Sequence, residues 1–138
     1  MGLLSCIEQI VGGIVPIKSS GEGYDCSYST PEIASSIFVS IPNLSGTLPA
    51  LRFGESIVHE AMHLLLTFFE KKHPLVKQAG EKMGGYSPWR EEPRKLRGVL
   101  HGMYVFYIIR LWYVNLLQGD AIVCENIRSF IRRRVDTI

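Results

Sequence analysis

His59 and His63, four residues apart with Glu60 directly after the first, stand in the apolar run Ser56 to Leu66. On an α-helix, positions i and i+4 share a face with their Cβ atoms about 6 Å apart, so both imidazoles can turn onto one cation. Chance alone puts H-E-x-x-H in under about one per cent of chains of this length and composition. The pattern therefore points to a metal site. Catalytic zinc and non-haem iron take three protein donors and leave positions open for water or substrate, so two histidines are one short. The role of Glu60 follows from the reaction. In a zinc peptidase it is the general base for the attacking water. In an oxygen-activating iron enzyme no such base is needed, and it balances charge or accepts a bond beside the metal.

The metzincin pattern asks for glycine three and histidine six residues after the second histidine; Leu66 and Phe69 stand there, which excludes that class. A thermolysin-like site needs a glutamate some twenty residues on, and Glu81 is near that distance. His101 is the stronger candidate, because it sits in an apolar helix where an unpaired imidazole is costly, on the same side as Arg94 and Arg97. Its ordinary alternative is a core histidine bonded to a carbonyl or carboxylate. His73 lies at the exposed end of the motif helix. Tyr104, one turn beyond His101, either approaches the metal or fills core; Trp89 and Tyr86 either wall a pocket or pack the loop that bears them.

These residues must be positioned by a small set of elements. Residues 3–11 suit a short helix ended by Gly12-Gly13, and Ser19 to Gly23 a turn. Residues 24–42 suit one or two short strands, Ser36 to Ile41 being the best placed. Asn43 to Pro49 reads as a loop. The motif helix covers 51–72, starting at Leu51 or Ser56 and stopped before Pro74; His59, His63, Leu66 and Glu70 share one side, and Ile57, Leu64, Leu65 and Phe68 anchor the adjoining sides. Leu75 to Met83 suits a weak helix broken by Gly84-Gly85, Tyr86 to Pro93 a loop, 94–117 a long apolar helix and 120–138 an amphipathic one. The expectation is one domain over 1–138, of predominantly helical α+β class, in which the H-E-x-x-H helix and a second ligand-bearing helix pack with a small β element.

Composition narrows the function. A chain of 138 residues has room for one core. Its net charge of +2, with acids and bases mixed, carries no nucleic-acid signature. Arg128, Arg132, Arg133 and Arg134 read mostly as a solvated helix face. Cys6, Cys26 and Cys124 have neither disulfide-framework nor zinc spacing, which suits the cytoplasm. The apolar start lacks a basic segment and holds Glu8, unlike a secretion signal. Val99 to Leu117 is long enough to span a membrane, but His101, Arg110 and Asn115 interrupt it. The last helix leaves a homodimer open.

Ser56 to Leu66 (SIVHEAMHLLL), Ser87 to Arg90 (SPWR), Arg94 and Gly98 to Phe106 (GVLHGMYVF) together resemble the HExxH-motif peptide-modification proteins of ribosomal peptide natural-product biosynthesis. The likeness spans about residues 35–110. Members of that family are regarded as iron(II)- and 2-oxoglutarate-dependent peptide β-hydroxylases. The resemblance implies that His59, His63 and His101 hold iron, that Arg90 and Arg94 are the best candidates for holding 2-oxoglutarate, and that Glu60 stands behind the metal ligands; Arg97, also just before His101, joins the two arginines as a candidate. A guanidinium suits the free carboxylate of a metal-chelating dicarboxylate because it binds bidentately; the ordinary alternative is pairing with Glu91 and Glu92. The expected activity is oxidoreductase hydroxylation of a side-chain β-carbon in a precursor peptide. A zinc metallopeptidase using Glu60 as base is the rival. The short chain and its arginines motivate a third reading, a non-catalytic peptide-binding maturation partner.

Overall fold

The computed structural model describes residues 2–19, 25–30, 32–33, 35–41, 46–77, 83–119 and 124–138. The expected turn at Ser19 to Gly23, the loop from Asn43 and the segment running into Met83 lie wholly or partly outside them, as does Glu81. In chain order the elements are α1 (Leu3–Ile10), β1 (Gly13–Ile17), β2 (Ser27–Ser29), β3 (Ser36–Ser40), α2 (Thr47–Lys72), β4 (Met83–Ser87), β5 (Glu92–Lys95), α3 (Leu96–Gln118) and α4 (Glu125–Thr137). The class is the expected predominantly helical α+β. No described helix is long and apolar enough to cross a membrane.

α2 is the organising element, and its sides follow from a turn of about 100° per residue. Ile57 and Leu64 face the sheet, where Leu64 packs with Ile37 and Val39 of β3 and is flanked by Phe53, Ile57 and Phe68. The adjoining side, Val58, Ala61 and Met62, meets Val105, Ile109 and Tyr113 of α3 and Ile127 and Ile131 of α4 in the main core. His59, His63 and Glu70 occupy the remaining side. α2 begins earlier than expected because Pro49 sits in its first turn, where a missing N–H costs no helical bond.

The sheet order is β1-β3-β2, with β1 parallel and β2 antiparallel to β3. β1 is an addition to the expected strands. Gly12-Gly13 does end α1, and the chain then enters a strand at once, Gly13 opposite Ser36 and Ile17 opposite Ser40.

The segment 83–95 requires correction. Gly84-Gly85 does not break a helix there, and Tyr86 to Pro93 is not a plain loop: β4 and β5 form an antiparallel hairpin with Ser87 opposite Glu92. A Cβ on Gly84 would lie 2.9 Å from the Leu96 Cβ, so glycine permits the hairpin to lie against the start of α3. Glu91, at φ 51°, takes the left-handed turn position that closes it. Arg94 belongs to β5, not to the long helix.

On α3 the residues His101, Val105, Ile109 and Tyr113 form one buried row at four-residue spacing. α3 runs antiparallel to α2, since Glu70 meets His101 whereas Glu55 meets Tyr113.

Candidate metal centre

α2 and α3 bring the three histidines together. His59 Nε2 and His63 Nε2 lie 3.2 Å apart, and His63 Nδ1 lies 3.4 Å from His101 Nδ1. With metal–nitrogen bonds of about 2.0–2.1 Å, two nitrogens of a tetrahedral site stand about 3.3 Å apart, so either separation taken alone suits a pair of ligands. An all-imidazole donor set suits zinc or iron. As the side chains stand, no three His, Cys, Asp or Glu groups among the described residues close on one ion. The reason is visible in His63, which turns one nitrogen to each neighbour; a single ion takes one nitrogen per ring, so binding requires the His63 ring to turn.

Burial keeps the pair uncharged. Desolvation pushes the His59 imidazole below its usual range, opposed by Glu55 and assisted by Arg90 and Arg134. Desolvation, reinforced by His59, takes His63 down to about 4. At neutral pH both rings therefore have lone pairs available, with no proton for a cation to displace.

The remaining polar groups sort by position on α2. Glu60, 4 % exposed, lies one residue round toward the sheet and accepts a hydrogen bond from Ser27 Oγ of β2 at 2.7 Å. Glu70, two turns past His63, accepts from Arg97 Nε at 2.7 Å and from His101 Nε2 at 2.8 Å through the same oxygen. Burial alone would push the Glu70 carboxyl up, but bonds from His101 and Arg97 outweigh it and hold it below the carboxylate range. Glu55, one turn before His59, accepts from Tyr113 Oη at 2.5 Å and pairs with Arg134 of α4. Burial and Glu55 together push the Tyr113 hydroxyl up, keeping it a donor.

A cavity of about 570 Å³ opens beside His59, lined by Ser27, Arg52, Glu55, Glu60, Arg90 and Arg134 among others. The three expected arginines part company here. Arg94 pairs with Glu92 at 3.1 Å on the surface, and Arg97 is engaged by Glu70. Arg90, at the hairpin tip, lines the cavity and has no ion pair among the described residues.

The segments that carried the family resemblance touch one another. Trp89 stacks on Phe106 with centroids 5.1 Å apart, Phe106 meets His59 edge-on at 5.6 Å, and a Cβ on Gly102 would lie 3.2 Å from the Trp89 ring. Thus tryptophan in the hairpin and glycine after His101 form one contact behind the motif. Trp89 packs the hairpin onto Phe106 and Gly102 of α3 and is not among the residues that line the cavity; Tyr86 is 61 % exposed. Tyr104 fills core, its hydroxyl donating to Met62 Sδ at 3.8 Å. His73 caps α2 and rests on Phe69.

Sequence reasoning passed over Glu55, Ser27, Tyr113 and Phe106, and it left Arg134 in a solvated face. Glu55 was within reach, being four residues before His59 on the same helix side. The others approach from distant segments at no diagnostic spacing. No protein-family model matches the chain, and no curated protein is significantly similar to it.

Proposed function

We propose that the protein is an iron(II)- and 2-oxoglutarate-dependent hydroxylase acting on a side-chain β-carbon of a ribosomally made precursor peptide. The observation that carries this reading is Arg90, a guanidinium uncommitted among the described residues, in the cavity that reaches His59. His59, His63 and His101 would hold the metal, which supplies oxygen activation when bound with the cosubstrate.

Around it the chain's own residues have separate tasks. Arg90 takes the free carboxylate of the dicarboxylate, a charge-assisted pairing that fixes its orientation. The Trp89–Phe106 stack excludes water from the side of His59 that faces α3. Glu60, tied to Ser27, supplies negative charge beside the cation without needing to move a proton. The peptide would enter this cavity, whose lining includes both partners of the Arg52–Asp25 and Arg134–Glu55 pairs. Three free thiols, Cys6, Cys26 and Cys124, suit a reducing cytoplasmic compartment.

The test is anaerobic reconstitution with iron(II), followed by 2-oxoglutarate and oxygen. Succinate release, and a gain of one oxygen by the peptide, is the expected result. A zinc peptidase remains the second reading because Glu60 lines the cavity next to His59, where a general base would stand. Peptide cleavage by the zinc-loaded protein without 2-oxoglutarate overturns the first reading in favour of the second.

A further inference from the structure

Glu70 has no role in the foregoing chemistry, yet it is a carboxylate only 9 % exposed and bonded to a candidate ligand. Its Oε2 receives both the Arg97 Nε–H and the His101 Nε2 contact. An oxygen that already accepts from a guanidinium is an acceptor, so the second partner must donate. A neutral imidazole carries one N–H, and spending it at Nε2 leaves the lone pair on Nδ1. Nδ1 is the His101 atom that faces His63, at 3.4 Å. His59 and His63, by contrast, face each other through Nε2.

We infer that Glu70 is a positioning residue that locks His101 in its Nε2–H tautomer, making Nδ1 the ligating atom, and that Arg97 serves the centre by holding Glu70. This rests on the metal-centre reading above. It assigns a mixed donor set, Nε2 from the two motif histidines and Nδ1 from His101. It also gives Arg97 a task other than binding cosubstrate. A carboxylate behind a ligating imidazole orients the ring and raises its basicity, and removing such a partner costs about 10–100-fold in metal affinity.

The tautomer is read in the metal-free, ¹⁵N-labelled full chain by long-range ¹H–¹⁵N correlation. His101 should show a protonated Nε2 and a bare Nδ1. Glu70→Ala should mix the tautomers and weaken cobalt(II) binding about 10–100-fold. Glu70→Gln, whose amide oxygen can still accept, should keep the tautomer and lose less. Circular dichroism checks that each variant folds, and the wild-type tautomer stands independently of both. A proton on Nδ1 of wild-type His101, or Glu70→Ala binding cobalt(II) as tightly as wild type, overturns the proposal. Wild type showing the Nε2–H tautomer but binding no cobalt(II) instead overturns the metal-centre reading, and His101's ligand role with it.

Discussion

Among the arginines, identical side chains have become unequal through their neighbours. Arg90 faces the cavity with its charge unspent among the described residues, whereas Arg94 shares a surface pair with Glu92. Arg90→Ala should raise the KM for 2-oxoglutarate by about 10–100-fold, the worth of a charge-assisted pair. Arg94→Ala should leave it within about twofold, because exposed pairs contribute little. Succinate-release kinetics on the two variants check both, and equal effects would remove Arg90 from the reading. His63 supports a second prediction. Unfolded, its imidazole takes up a proton near 6.5; folded, it does so only near 4. The unfolded state therefore binds more protons between those values, and the metal-free protein should lose stability as pH falls from about 6.5 toward 4. Thermal melts across that range, compared with His63→Gln, isolate the contribution. His59, His63, Glu60 and His101 were legible because a four-residue spacing and an apolar helix are local facts. Which arginine stayed uncommitted was not, since that depends on where Glu70 and Glu92 lie.

At the scale of elements, the hairpin was misread for a physical reason. Two adjacent glycines and two nearby prolines are ordinary marks of a break, and period-two alternation is too short in MGGYS and EPRK to oppose them. What the local pattern does not show is the pairing of β4 with β5 and the close approach of Gly84 to Leu96, which leaves no room for a side chain there. Gly84→Ala should accordingly destabilise the protein by about 1–3 kcal/mol, since its Cβ would meet the Leu96 Cβ and backbone, which cannot yield as a flexible chain end could. Urea denaturation measures the loss. Because the same hairpin carries Trp89 and Arg90, 2-oxoglutarate affinity should fall with it; an unchanged midpoint and affinity would show that the hairpin does not depend on this contact. The long helices were read well because their apolar periodicity runs over many turns, which outweighs local noise. β1 escaped notice because its pairing with β3 is parallel and its partner lies over twenty residues on, leaving no turn between them to read.

Across the whole molecule, the centre draws on β2, α2, the hairpin, α3 and α4, so its integrity tracks the fold as a unit. Tyr113 is fully buried and ties α3 to Glu55, while Arg134 ties α4 to the same carboxylate. Tyr113→Phe should cost about 1–2 kcal/mol by removing one bond. Arg134→Met should cost about 1–3 kcal/mol, less than for a fully buried pair because the arginine is 32 % exposed. Paired denaturation curves, with the double variant, reveal whether the three groups act as one network. Glu70 and Glu55 have a consequence as a pair. They sit on α2 fifteen positions apart, and each meets a donor on the buried row of α3. Sliding α3 by one turn, about 5.4 Å, would set Glu55 against Ile109 or Leu117, neither of which can donate. The apolar residues between could tolerate such a slip, since one branched side chain replaces another. Glu70 could still take Arg97, which already donates to it, but Glu55 would lose the Tyr113 hydroxyl, and so that bond marks the register in which the three imidazoles meet.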